Sequence, residues 1–341
     1  MAHGRFDNPV VASMTGILDI FRKQKLSERL TDNDRIDGKT CLVTGANTGL
    51  GFAIAVDLAK RGAKVIMACR SQIPEAGEKV KKISGSDNVV MKYLDLSKID
   101  TIHSFVADLK NENITLDFTV LNAGVALPKA KKTASGLDEI FLVNYLSNFI
   151  LLNLLLNNGI IPNSTISKNK KLEDKPSRVI FISSDSHQKS SFIDHDEFGR
   201  YFEYGLKKGM NNYSYYKLVL NTLAVEISKR MNKDTANPDV SFNVICPGPV
   251  NTNIVRDAPW LIRMLLKGIF SIFFQSPEKA AKAVSYITIS NDFEGKTAAY
   301  MHMFNPKEMD YKIYIPEEGI KLWEHSVEVW KRVDENAVLN I

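Results

Sequence analysis

Tyr213 and Lys217 stand four residues apart in Tyr213-Ser214-Tyr215-Tyr216-Lys217, a spacing that puts both side chains on one face of a helix. A phenol that ionises near pH 10 is a poor acid or base at neutral pH unless a neighbouring cation stabilises the phenolate. Lys217 can supply that charge. The same pattern recurs by chance as a surface pair, and Ser184 makes it specific here, because Ile182-Ser183-Ser184 closes a β-like run upstream. A hydroxyl, a phenol and an amine brought together in this way can move a proton to or from an oxygen.

A second set of residues points to a dinucleotide. Thr44-Gly45-Ala46-Asn47-Thr48-Gly49-Leu50-Gly51 lies between an apolar run and a stretch with helical periodicity. Glycines there let the backbone approach a pyrophosphate, and the helix N-terminus offers free N–H groups and a favourable dipole. The spacing is G-x-x-x-G-x-G, and the position after a strand and before a helix gives it weight. Ala68-Cys69-Arg70-Ser71 ends the second apolar run with Cys69 where an acid would bind a ribose 2′-OH, followed by Arg70. An arginine pairs with a 2′-phosphate through a forked, charge-assisted contact, so NADP(H) is favoured and NAD(H) stays open. Thr48, ahead of Gly49, is not basic, so a second phosphate contact is missing. Asp95-Leu96 and Asn122-Ala123-Gly124 follow the third and fourth runs, at the carboxyl ends of strands, where open α/β sheets bind ligands. Asp95 is expected to accept from an adenine amino group, and Asn122 and Gly124 to shape the sheet edge under the cofactor.

The elements that must position these residues alternate. Strands are expected over 40–44, 64–68, 89–94, 118–121, 178–182 and 240–245, and helices over 53–61, 74–83, 99–109, 137–156 and 213–231. Such alternation means βαβ units and a mainly parallel sheet: an α/β, Rossmann-type doubly wound fold. Within 341 residues this reads as one catalytic domain, 38–305, with an N-terminal extension 1–37, a substrate lid about 253–276 and a C-terminal extension 306–341. Hydrophobic residues make up 44% and charged residues 24% of the chain, enough for a full core, and the net charge of +5 is scattered, which excludes a nucleic-acid surface. The three cysteines, Cys41, Cys69 and Cys246, form neither a metal spacing nor a disulfide framework. An intracellular location is expected, cytoplasmic or peripheral on an endomembrane. No stretch reaches the roughly 18–20 uninterrupted apolar residues of a spanning helix. Phe149–Ile161 reads as core or a subunit contact. Trp260–Phe274, with Arg263 and Lys267, and Val10–Phe21, followed by Arg22, Lys23 and Lys25, are candidates for peripheral membrane contact. His187 and His195 with Asp194 and Asp196 have no recognisable ligand spacing, and no metal is expected.

The strings Thr44-Gly45-Ala46-Asn47-Thr48-Gly49, Ala68-Cys69-Arg70, Leu121-Asn122-Ala123-Gly124, Val143-Asn144-Tyr145 and Ile182-Ser183-Ser184-Asp185-Ser186-His187, in this order, resemble the short-chain dehydrogenase/reductase family over about residues 38–305. Within it they are most similar to the retinol dehydrogenase-like group, which includes the WW-domain oxidoreductase type. Light-dependent protochlorophyllide reductases share some of the strings more distantly. The resemblance implies Tyr213 as general acid in reduction or base in oxidation. Lys217 would lower its pKa and hold the nicotinamide ribose, Ser184 would hydrogen-bond the substrate oxygen, and Asn144 would position a water linking Lys217 to solvent. It also implies that Pro247-Gly248-Pro249-Val250-Asn251-Thr252 wraps the nicotinamide, with Val250 and Thr252 at the carboxamide. Tyr216 departs from the small serine often found beside the lysine. The implied activity is NADP(H)-dependent interconversion of a lipophilic alcohol and its aldehyde or ketone, of the retinoid, steroid or fatty aldehyde class. The resemblance leaves a homodimer through the helices holding Asn144 and Tyr213 open. The competing readings are a catalytically silent NADP-binding scaffold and a membrane-surface interaction protein.

Overall fold

The computed structural model describes residues 30–31, 33–171, 175–250 and 275–340. Val10–Phe21, Thr252 and the lid segment Trp260–Phe274 lie outside the described residues.

Eight strands form one sheet in the order β3-β2-β1-β4-β5-β6-β7-β8. They are β1 (Thr40–Thr44), β2 (Lys64–Cys69), β3 (Val89–Tyr93), β4 (Phe118–Leu121), β5 (Ser177–Ile182), β6 (Val240–Cys246), β7 (Tyr300–His302) and β8 (Asn305–Pro306). All pairs are parallel except the short β7–β8 hairpin. The six strands read from apolar runs are present, and strand order reverses between β1 and β4, the switch point at which such sheets bind ligands. β5 and β6 are buried at every position, as expected of central parallel strands covered on both faces.

Successive strand residues feed two separate cores, because side chains alternate across a sheet. Val43, Met67, Ile180 and Ile245 face one core, closed by helices α1 (Gly49–Lys60), α2 (Glu75–Ser84) and α6 (Pro277–Ile289). Leu42, Ile66, Phe181 and Val244 face the other, closed by α3 (Ile99–Asn111), α4 (Glu139–Asn157), α5 (Leu206–Met231) and α7 (Pro316–Val333).

Helix α4 is not regular. It starts at Glu139–Phe141, passes through a π turn at Leu142–Leu146 and continues as Ser147–Asn157. Glu139–Asn157 is long and apolar enough to cross a membrane, yet its apolar span is buried inside the fold, so it serves as core.

Part of that burial comes from α7, in the region read as a C-terminal extension. Its Gly319, Leu322, Trp323, Ser326, Val329 and Trp330 are buried, the i, i+3, i+4, i+7 stripe of an amphipathic helix. Phe149 of α4 meets Trp323 and Trp330 edge-on at 4.9 and 6.0 Å. Tyr145 Oη and Ser326 Oγ are 2.6 Å apart, and Arg230 of α5 lies 4.4 Å over the Trp323 ring. Gly319 lets the two helices close up, since a Cβ there would stand 2.6 Å from a Glu226 carboxylate oxygen.

Candidate active site

The glycine turn joins β1 to α1. Gly45 and Gly49 have φ of +64° and +58°, the left-handed region that glycine enters without strain. Gly51 has a different reason: a Cβ there would overlap the Gly45 carbonyl and the Asn122 amide. Thr48 is the N-cap residue, its side chain makes no capping bond, and no acidic residue lies in the first turn of α1. The first amides of α1 therefore face the turn with no carboxylate of their own helix competing for them, a donor set suited to a pyrophosphate. Asn47 Nδ2 donates to Ser71 Oγ at 3.2 Å, closing the turn against the end of β2. Leu50 is buried beneath it.

At the end of β2, Cys69 is packed under the turn, its thiol pushed up to about 12 by burial, against which the Ala46 and Asn47 amides act. Arg70 is exposed, and its Nη1 lies 3.8 Å from Glu139 Oε1. Glu139 is buried and also receives Lys131 at 2.5 Å. Sequence reading did not reach Glu139, because its only signal was an acid at the start of an apolar helix. Asp95 Oδ1 accepts from Ser97 N and Oγ at 3.1 and 2.7 Å, an Asx turn that fixes the loop after β3. The buried Leu96 presents its carbonyl to Ser147 Oγ at 2.6 Å.

Asn122 acts as a stitch between strands. Its Nδ2 donates to Thr44 O at 2.9 Å, while Thr44 Oγ1 accepts the amides of Asn122 and Ala123, both at 3.0 Å. Gly124 comes next, where an added Cβ would stand 3.3 Å from Asn144 Oδ1 and 3.9 Å from Lys217 Nζ. A side chain there would fill the space between the two, so this glycine is what brings the β4 edge to the lysine.

Asn144 sits at the centre of the π turn and is buried. Its side chain pairs like a strand with Val125, accepting N–H at 2.7 Å and donating to O at 2.8 Å. A π turn takes one carbonyl out of the i→i+4 ladder and is frequent at functional sites. With both ends of the carboxamide spent on Val125, the main chain of the turn is what α4 has left to offer a water.

Tyr213 and Lys217 share one face of α5, with Lys217 Nζ 5.6 Å from the Tyr213 ring centroid. Lys217 is buried, donates to Ile182 O at 2.7 Å and is lowered to about 8 by burial. Burial pushes the Tyr213 phenol up. Burial disfavours the charged phenolate, so the proton stays on the phenol at neutral pH. Tyr216, at the departure from the family pattern, packs on the aromatic cluster through Phe141 at 5.6 Å. Ser184 is half-buried at the end of β5, where its Oγ accepts from Ser186 N at 3.3 Å as the cap of a 3-10 turn, Asp185–Lys189.

After β6, Gly248 has φ of +83°. Gln275, not anticipated from the sequence, holds this turn: its Nε2 donates to Pro247 O, and its N–H to Pro249 O at 3.0 Å. Val250 forms an isolated bridge with Gln275. Cys41, Cys69 and Cys246 are free and buried. Both ring nitrogens of His187 are engaged by protein backbone.

A glycine turn at the switch point, with a tyrosine, a lysine, an asparagine and a serine along the same strand-end edge, defines a Rossmann-type oxidoreductase built to receive a nicotinamide dinucleotide. Residues 39–193 match the family described as short chain dehydrogenase. Mouse retinol dehydrogenase 14 is 32% identical over 309 residues, which cover 86% of this chain and 86% of that protein. Human polyprenol dehydrogenase is 27% identical, covering 85% and 84%. The Pseudomonas aeruginosa RhlG/NADP active-site complex shares the fold, with a TM-score of 0.60 at 21% identity over 80% of this chain and 98% of that one. The chain belongs to the short-chain dehydrogenase/reductase family, in its retinol dehydrogenase-like group, and is an oxidoreductase acting on CH–OH groups.

Proposed function

We propose that this enzyme interconverts a lipophilic alcohol and its aldehyde or ketone, with NADP(H) preferred and Tyr213 as the acid/base. The observation that carries the reading is the meeting of Gly124, Asn144 and Lys217 with Tyr213 one helical turn before the lysine. The retinol and polyprenol dehydrogenases among its relatives favour a long apolar substrate, of the retinoid, steroid or fatty aldehyde class. A substrate of that class partitions into bilayers, which favours a peripheral place on an endomembrane over free cytoplasm.

The nicotinamide, when bound, supplies or takes the hydride. The first amides of α1 and the turn Gly45–Gly51 hold its pyrophosphate, with Asp95, Leu96, Asn122 and Ala123 along the strand ends and Pro247, Gly248 and Val250 beyond them. Arg70 takes the 2′-phosphate, which among the described residues competes for the exposed guanidinium with Glu139, 3.8 Å away. In reduction Ser184 Oγ donates to the substrate oxygen and the Tyr213 phenol gives its proton to the developing alkoxide, which suits a phenol that burial keeps protonated. Lys217, charged below about pH 8, then stabilises the phenolate left behind and returns a proton through the π turn at Asn144.

The test is NADPH oxidation, followed by absorbance, against retinaldehyde, medium-chain aldehydes and ketosteroids, with Tyr213→Phe as control. Turnover that disappears in the variant while NADPH still binds is the expected result. Turnover that survives in Tyr213→Phe would remove the acid/base assignment.

A further inference from the structure

His187 is fully buried three residues after Ser184, and its two ring nitrogens have different jobs. The backbone amide of Asp310 donates to Nε2 at 3.3 Å, so Nε2 is the acceptor and Nδ1 carries the hydrogen. Nδ1 lies 2.7 Å from the Ser184 carbonyl, which also accepts the His187 amide at 3.1 Å. The Ser184 carbonyl thus receives two donors from one residue. Burial, the largest influence, lowers the His187 pKa, which keeps the ring neutral and the Nε2 lone pair available.

The ring is itself braced. It meets Tyr300 of β7 at right angles, 5.4 Å between centroids. Tyr300 Oη donates to Asp185 Oδ1 at 3.1 Å, and Lys307 Nζ reaches Asp185 Oδ2 at 2.7 Å. Gln188 Nε2 donates to Asp185 Oδ1 at 3.0 Å. Ser184 is therefore flanked by residues tied to β7 and to the segment after β8, more than 100 positions away in sequence. Among the described residues its own Oγ has only the 3.3 Å contact with Ser186 N, so the hydroxyl is aimed by the backbone that carries it.

We propose that His187 is a positioning residue for Ser184, clamping its carbonyl so that the hydroxyl points at the substrate oxygen, and coupling that aim to the chain around Asp310. This rests on the reading of Ser184 as the hydroxyl that binds the substrate oxygen. The sequence showed His187 only as a histidine near acids; the structure places no acid oxygen on its ring nitrogens among the contacts described.

A double-mutant cycle on carbonyl reduction tests it. His187→Leu should lower kcat by about 10- to 100-fold, the scale of a small misplacement of a reacting group, and leave the KM for NADPH within about twofold. Ser184→Ala should lower kcat alone, and adding His187→Leu to it should cost nothing further, because the clamp then has nothing to aim. His187→Asn, whose amide nitrogen falls near the place of Nδ1, should recover most of the loss, whereas His187→Gln, whose amide reaches the place of Nε2, should not. Additive losses in the double variant would overturn the proposal. If His187→Leu does not fold, equal rates for the Asn and Gln variants would overturn it, and Asn exceeding Gln would support it. A Ser184→Ala variant with full activity would instead remove the reading of Ser184 on which the proposal rests.

Discussion

Arg70→Asp bears directly on the choice between the two nicotinamide cofactors. The guanidinium is exposed, with a side-chain accessibility of 38%, and its nearest carboxylate, Glu139 Oε1, is 3.8 Å away. That contact is too long for a forked pair, so most of the donors of Arg70 are free to meet a 2′-phosphate. Charge-assisted hydrogen bonds of this kind contribute about 1.5–3 kcal/mol. At roughly 1.4 kcal/mol per tenfold, losing them raises the KM for NADPH by about 10- to 150-fold. Aspartate adds repulsion, softened by screening over a Debye length of about 8 Å at physiological salt, so Arg70→Asp falls at the upper end of that range and Arg70→Ala lower. NADH carries no 2′-phosphate, and its KM should move by less than about threefold, a surface-charge effect. The assay is initial-rate kinetics on one saturating carbonyl substrate with each cofactor in turn, at two salt concentrations. Equal changes for NADPH and NADH would refute the reasoning, because they would place Arg70 away from the ribose.

Further outcomes follow from burial. Lys217 is lowered from 10.5 to about 8, so it is charged below about pH 8 and neutral above, and carbonyl reduction should fall as pH rises through that value. The unfolded chain holds this proton up to about 10.5, so folding stability drops as pH falls from about 10.5 to 8 and is then level. Lys217→Met should therefore end turnover and yet melt no earlier than the parent at pH 7, since it removes a buried cation costing up to roughly 3 kcal/mol; a clearly lower Tm would contradict this. Trp330 is 0% exposed, with Nε1 donating to Asp334 at 2.6 Å, and Trp330→Ala should cost about 3–5 kcal/mol in denaturant unfolding, where a loss under about 1 kcal/mol would mean that α7 is not seated as described.

The sheet was legible because its signals are local. The apolar runs at Cys41–Val43 and Val179–Ile182 are strands buried on both faces, and the glycines around Thr48 gain their meaning from standing after a strand and before a helix. Tyr213 and Lys217 stood out through their spacing together with Ser184 upstream. The helix that carries them begins at Leu206, two turns before the expected start, because polar Lys207 and Asn211 dilute its apolar stripe. The π turn at Asn144 was not legible, since one extra residue per turn leaves no mark on a helix that has apolar residues on every face. Nor were Glu139, Gln275 and Asp310, which gain their roles only when distant segments meet. The short β7 and β8, three and two residues long, fall below any periodicity.

The seat of α7 also bears on assembly. The faces of α4 and α5 from which Phe149, Tyr145 and Arg230 project are occupied by the chain's own Trp323, Ser326 and Trp330. A second copy approaching those helices would first have to peel α7 away. Re-exposing its large buried side chains would cost about 1.5–3 kcal/mol each. Pairing by that route thus carries a toll before any new contact forms. The toll applies to that route alone: by mass action, a dimer formed through it would make melting depend on protein concentration only once α7 is displaced.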